Sequence, residues 1–292
     1  MDGSSPEFVI LPWITCAIAA LIAGFVNSIA GGGTLLTFPS LQFALGAVFP
    51  GLPGKDILVM ANTTSTLAVL PGSLAGAWGV KNHLTGAKNW LLLLIPSSIL
   101  GGCLGAFLLT RFPSQFSALV PWLLFLASTL FLVQPWISKL TQKPESSKTT
   151  SPWGAITLAF FQLFVATYGG YFGAGIGILM IASLSLMGIH DLNRVNGIKN
   201  ILAFLINTTA ALFFCFNAPV HWPLAIWMAI FSVLGGYLGG VLGQRIPRKV
   251  LRAIIIFIGY GLSMYYCIQF KQFFVSITVL LVRLVMYCFI GS

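Results

Sequence analysis

Long apolar segments, at approximately 8–30, 34–50, 57–80, 89–110, 116–138, 153–172, 174–189, 195–217, 222–244, 250–270 and 273–290, take up nearly the whole chain. They are separated by only a few polar residues each. A chain of this kind cannot cover itself with polar surface in water. Hydrophobic residues make up 58% of its 292 residues and charged ones 7%, against about a quarter charged in soluble domains. At roughly 20 residues per spanning helix, the length suffices for about ten spans and leaves no room for a soluble catalytic domain. The expected fold is therefore an all-α polytopic membrane protein. The N-terminus carries Asp2 and Glu7 before any basic residue. It lacks the basic region of a secretory signal, so the first apolar run reads as an uncleaved span. Trp13, Trp90, Trp153 and Trp222 near segment starts, with Trp78 and Trp136 near ends, fit an interfacial aromatic belt.

Two of the apolar runs are broken by glycine. Gly31-Gly32-Gly33, followed by Thr34, interrupts the first, and Gly173-Ala174-Gly175, with Gly177 close behind, interrupts the sixth and seventh. Glycine weakens helices, and in lipid a broken helix is tolerated only where protein or a water-filled cavity receives the freed backbone groups. Matched breaks in two halves of a membrane protein point to a binding site near the bilayer midplane. Close helix packing through small residues is the alternative, and it is the better account of Gly101/Gly105, Gly235/Gly239 and Gly239/Gly243.

The halves repeat beyond the breaks. LGGCLGAFLLTRFP (Leu100 to Pro113) aligns with LGGYLGGVLGQRIP (Leu234 to Pro247), Gly46 with Gly188, and Met60-Ala61-Asn62 with Arg194-Val195-Asn196. This predicts two homologous halves of about five segments each. The first repeat takes residues 1–138, a polar Ser/Thr/Pro/Lys linker 139–152, the second repeat 153–270, and an extra apolar segment 271–292. Charge predicts their relative orientation. If all five segments of each half cross, Lys81, Lys88, Lys139, Lys143, Lys148, Arg194, Lys199, Arg245, Arg248, Lys249 and Arg252 share one side, against Lys55, Arg111 and Lys271. If the short segments 34–50 and 174–189 re-enter instead, the bias falls to eight against six. The larger bias predicts inverted repeats with broken helices, the N-terminus outside and the linker in the cytoplasm.

Polar patches recur at matching places within apolar segments: Asn62 to Thr66 in one half, Asn196 to Asn200 in the other, with Asn207 and Thr208 two turns later. Such groups must face the bundle interior. The candidate substrate-binding residues are Asn27, Gly31, Gly32, Gly33, Thr34, Asn62 and Ser65 from the first half. The second half supplies Gly173, Gly175, Gly177, Asn196, Lys199 and Asn200. Interhelical hydrogen bonding is the competing account for the hydroxyls and amides. Lys199 lies on one helix face with Asn196. It either snorkels to the cytoplasmic surface or faces the cavity and meets the substrate.

Enzyme chemistry finds no support. Asp2, Glu7, Asp56, Glu145 and Asp191 fall in termini or loops, and His83, His190 and His221 lie near segment ends. No carboxylate pair, metal cluster or nucleophile–base set assembles within the segments. No cofactor or metal is expected. The five cysteines show neither metal nor disulfide spacing. The +10 net charge is spread over short loops as a topology signal, so nucleic acid is not an expected partner.

GFVNSIAGGGTLLTFPSL and ANTTSTLAVLPGSLAGAWGV in the first half, with GGYFGAGIGILMIASL and RVNGIKNILAFLINTTAALFF in the second, resemble the sulfite exporter TauE/SafE family over roughly residues 10 to 270. The resemblance implies an inner-membrane permease of duplicated organisation that moves sulfite, a sulfonate or a related small sulfur-containing or organic anion. The segment from Phe273 to Ile290, with Arg283 in it, departs from the family pattern. The expected function is alternating-access transport of such an anion. Its partners would be the small anion and the lipid bilayer, with protons as a candidate coupling ion carried on the substrate or through a loop histidine. The alternatives are an anion channel with the same lining and a non-transporting membrane scaffold. Oligomeric state is not legible.

Overall fold

A computed structural model describes residues 6–29, 32–79, 88–140, 152–186, 192–242 and 253–268. These residues form ten α-helices: α1 (Pro6–Ile29), α2 (Thr34–Val48), α3 (Gly54–Gly79), α4 (Lys88–Arg111), α5 (Pro113–Leu140), α6 (Pro152–Tyr171), α7 (Ile176–Leu186), α8 (Leu192–Asn217), α9 (Trp222–Leu242) and α10 (Ala253–Ile268). The described residues contain no strand. An all-helical chain satisfies its backbone within each segment, which lipid demands. Six of the helices are long and apolar enough to cross a membrane. The first ten predicted segments each coincide with a helix; the eleventh, 273–290, lies outside the described residues. At 15 and 11 residues, α2 and α7 reach only about 22 and 16 Å at helical rise, short of the ~30 Å hydrocarbon core.

Helix directions follow from paired contacts. The Trp227 indole donates to the Trp13 carbonyl near the starts of α9 and α1. A Cβ on Gly239 would meet Phe25 near their ends, so α1 and α9 run the same way. α3 joins them: Thr64 accepts from the His221 backbone N–H just before α9, and Gly72 abuts Ser232 further along. The second trio is α4, α6 and α8. Gln162 donates to Ser98, a Cβ on Gly105 would meet Tyr171, and the Phe107 and Phe213 rings lie 6.5 Å apart. Four residues turn α8 into α9, so the two trios run in opposite directions.

Small residues set this packing. A Cβ on Gly101 would meet the Leu163 carbonyl oxygen at 2.6 Å and the Thr167 nitrogen at 2.9 Å. On Gly235 it would meet the Leu21 carbonyl and the Phe25 nitrogen. The sequence alignment equates Gly101 with Gly235, Leu163 with Leu21 and Thr167 with Phe25. The same backbone-to-backbone contact therefore occurs twice with the halves exchanged: α4 of the first packs on α6, and α9 of the second packs on α1. Gly102 against Ile206 and Gly236 against Gly72 repeat the pattern on α8 and α3. Without a hydrophobic drive between helices in lipid, such close approach is a main source of association.

α1 and α2 form an antiparallel hairpin, with the Cys16 thiol 3.6 Å from the Ser40 carbonyl and Gly33 against Ala23. α7 likewise turns back from α6. The hairpins enter with opposite directions and meet at their tips.

The α8–α9 turn is seated on α3. Thr63 donates to the Pro219 carbonyl, and the His221 ring packs edge-on against Phe49 at 5.8 Å. His221 Nδ1 accepts from the Leu224 N–H at 3.3 Å, a cap for the first turn of α9 that requires an unprotonated Nδ1.

Three outcomes follow. Gly101→Ala and Gly235→Ala lose about 1–3 kcal/mol through overpacking, read as a lower unfolding temperature in detergent. Gly46→Ala, with nothing within 4 Å of the added Cβ, is neutral or slightly stabilising. Burial holds His221 below its ordinary value of 6.5, against a smaller opposing pull from its own backbone. The unfolded chain therefore takes up the proton first. The stability that neutral His221 contributes is complete above pH 6.5 and is lost as pH falls through the lowered value. His221→Gln flattens this acid limb in a pH series of unfolding temperatures.

Candidate functional site

Both glycine breaks have backbones that only glycine adopts readily. Gly32 has φ +125°, Gly173 +82° and Gly175 +77°, and these are the positive-φ residues among those described. A Cβ on Gly32 would strike the Phe131 ring. The tips are in direct apposition: the position of that Cβ lies 3.6 Å from the Gly175 nitrogen, and that of Gly173 lies 3.6 Å from Thr34 Oγ1.

The first break is held by one side chain. Asn27, in the last turn of α1, accepts the Gly32 N–H on Oδ1 at 3.1 Å and donates from Nδ2 to Ser73 Oγ on α3 at 2.6 Å. It thereby satisfies an orphan donor at the break and ties the hairpin tip to α3. Gly33 caps α2 in helical conformation (φ −55°, ψ −26°) without a side-chain bond, and its carbonyl accepts from Leu36 and Thr37. In the second break the Phe172 and Gly173 N–H groups both go to the Tyr168 carbonyl, and Gly175 accepts from Ile178 to start α7.

Between the tips, where α3 and α8 cross, lies a cavity of about 30 Å³. α1 and α2 contribute Asn27 and Thr34; α3 contributes Thr66, Val69 and Ser73; the second hairpin contributes Gly173, Ile176 and Gly177; α8 contributes Lys199, Asn200, Ala203 and Asn207. Amides and hydroxyls dominate, one cation is present, and none of these lining residues is acidic. The first turn of α7 borders the cavity, so the positive pole of a helix N-terminus adds to the field there.

Of the residues singled out in the sequence, Asn27, Thr34, Gly173, Gly177, Lys199 and Asn200 line this one cavity. Lys199 is 2% exposed, which places it inside rather than snorkelling at a surface. Gly32, Gly33 and Gly175 shape the breaks without lining the cavity. Asn62 and Ser65 have different work. Asn62 is fully buried and donates from Nδ2 to the Tyr171 carbonyl at 3.1 Å, so it grips the end of α6. Ser65 pairs with Thr37 at 2.5 Å, joining α3 to α2. Gly31 and the side chain of Asn196 lie outside the described residues. Sequence reasoning missed Thr66, Ser73 and Asn207 as lining residues. The repeat carried the signal: alignment of the halves equates Thr66 with Asn200, Val69 with Ala203 and Ser73 with Asn207, and all six face the cavity.

The chain matches the family model described as sulfite exporter TauE/SafE over residues 16–266. It is 28% identical over 250 residues to a probable membrane transporter protein, ORF9, of Sinorhizobium sp, covering 84% of this chain and 88% of that one. It is 24% identical over 249 residues to a probable membrane transporter protein of Haemophilus influenzae, covering 83% and 89%. It is also 24% identical over 267 residues to the probable membrane transporter protein YfcA of Escherichia coli K12, covering 90% and 93%. No solved structure matches. The chain belongs to the sulfite exporter TauE/SafE family of multi-pass membrane transport proteins.

Proposed function

We propose that this protein carries a small anion across the cell inner membrane by alternating access, with sulfite the leading cargo and an organosulfonate the next. The observation that carries the reading is the polar cavity at the meeting of both helix breaks. It gathers amides, hydroxyls, a helix N-terminus and Lys199, and its described lining residues include no carboxylate. Such a donor-rich site favours an oxyanion over a cation or a neutral solute. The family name points the same way for sulfite. Size adds to it: about 30 Å³ is roughly the space of one or two waters. A compact oxyanion enters with little widening of this closed state, whereas an organosulfonate needs more.

The halves act as inverted repeats in this reading. α3 and α8 occupy matching places in the two halves and run in opposite directions, as do α1 and α6. Five helices of alternating direction, α1 to α5, put the linker opposite the N-terminus, in agreement with the charge bias that predicts it in the cytoplasm. Each hairpin then guards the cavity from one side, and rocking one repeat against the other exposes the site alternately.

Three experiments test this. Lys199→Gln weakens anion binding at least tenfold, about 1.4 kcal/mol, while membrane insertion holds or improves; Lys199→Arg restores only part, because a planar guanidinium does not replace a compact ammonium. Wild-type affinity in Lys199→Gln would remove the lysine from the site. For topology, cysteines placed at Ser147 and Arg248 both resist labelling from outside intact cells. Labelling at Ser147 alone would favour parallel repeats. Saturable accumulation against a gradient in proteoliposomes separates a transporter from a channel.

A further inference from the structure

We propose that the cavity takes its anion singly charged and still carrying one proton, so that for sulfite the species bound and moved is hydrogensulfite. This rests on the reading that the anion occupies the cavity, and it names the protonation state. The starting observation is the open point beside Gly173. Chain neighbours apart, the three heavy atoms closest to the place a Cβ would take there are all oxygens: the Gly169 carbonyl at 3.2 Å, Thr34 Oγ1 at 3.6 Å and Asn207 Oδ1 at 4.0 Å. Gly173, Thr34 and Asn207 all line the cavity. The φ of +82° at Gly173 disfavours any side chain there, which keeps the point open.

Oxygens that converge on an open point call for a group that donates. A carbonyl and an amide oxygen only accept, and a hydroxyl does either. A cation would also suit three oxygens, but the same cavity holds the Lys199 ammonium, and like charges in one small space repel. An O–H on the ligand meets the demand without adding positive charge. A fully deprotonated oxyanion has no hydrogen to give and sets its own lone pairs against these oxygens. Elsewhere on the wall the Lys199 ammonium, which can only donate, and the Asn200 amide serve the anionic oxygens.

Charge balance leads to the same species. Among the described lining residues Lys199 is the one basic side chain, and none is acidic. Whatever else its ammonium meets, no second basic side chain on that wall offsets a second negative charge. Born desolvation grows with the square of the charge, so a dianion costs about four times as much to bury as a monoanion of its size. The proton therefore travels on the cargo, and no acid or base of the protein has to relay it. The charged and phenolic side chains on the surrounding helices are few. α2 and α7 carry none, α6 has Tyr168 and Tyr171, and α8 has Arg194 beside Lys199; Glu7 on α1 and Lys55 and Asp56 on α3 sit in first turns.

The test measures the affinity of the purified full chain for sulfite, methanesulfonate and sulfate across a pH series, read as ligand-dependent shifts of the unfolding temperature. Methanesulfonate stays a monoanion throughout and has no O–H, so it reports whatever the protein's own groups do with pH. The expected result is that affinity for total sulfite, relative to methanesulfonate, falls about tenfold per pH unit once sulfite gives up its second proton, and that sulfate does not bind. Thr34→Val, close in shape but without the hydroxyl, loses at least tenfold in affinity for sulfite at acid pH and less for methanesulfonate, because a site built around a ligand O–H discriminates by it. Thr34→Ser restores most of the loss. If the valine variant does not fold, the wild-type series decides alone. Sulfite affinity that holds or rises as the second proton leaves overturns the proposal, since an ordered water would then suffice for the three oxygens. Sulfate bound as tightly as sulfite also overturns it. A protein shifted by none of the three anions at any pH would refute the transport reading itself.

Discussion

The constraint on which the structure depends is that backbone polar groups at two interrupted helices must be satisfied away from water. An unpaired peptide group in hydrocarbon costs several kcal/mol, so each break needs protein on all sides. Asn27 supplies the acceptor for Gly32, Asn62 supplies the donor for Tyr171, and the Tyr168 carbonyl takes two N–H groups at once. To deliver these partners, α3 must pass beside both tips. That in turn requires the close approach of α3 to α9 which Gly72 and Gly236 allow.

The exchange of helices between halves follows from the same demand. Each hairpin tip is flanked by a helix of the opposite half, α9 beside α1 and α4 beside α6. Each break is therefore packed directly against the other half. Polar groups on α3 divide the labour by register: Ser65 joins α2, Asn62 holds α6, Thr63 and Thr64 hold the α8–α9 turn, and Thr66 with Ser73 faces the cavity. One short run of sequence thus links both breaks, the cavity and a loop at the helix ends.

Much of this was legible in the sequence because lipid makes the code strict. Apolar runs marked the helices, and repeated glycines marked the breaks. Lys199 and Asn200 were found because polar residues in apolar runs must face inward, and Asn27, Thr34 and Gly173 because they belong to the broken stretches. What sequence could not supply was rotation about the helix axis. Asn62 and Thr66 are both polar and one turn apart, yet one clasps a helix end and the other lines the cavity. The difference lies in which neighbour each meets, and that neighbour, Tyr171, is far away in sequence. Ser73 was passed over, and Asn207 was named only as an inward polar group, because each looks like an ordinary interhelical hydrogen-bonding residue until the halves are superposed. The length of α2 and α7 likewise became decisive only when their hairpin partners were seen.

The account centres on one claim, that the cavity at the crossing of α3 and α8 is where the anion binds. Ala203 sits at that crossing and lines it; leucine there fills the space without adding or removing a polar group. The direct measurement is counterflow of radiolabelled sulfite in proteoliposomes of the wild type and Ala203→Leu, with unfolding temperatures taken alongside. The account predicts saturable counterflow in the wild type and its loss in a variant that unfolds within a few degrees of it. Undiminished counterflow in a folded Ala203→Leu protein would contradict it.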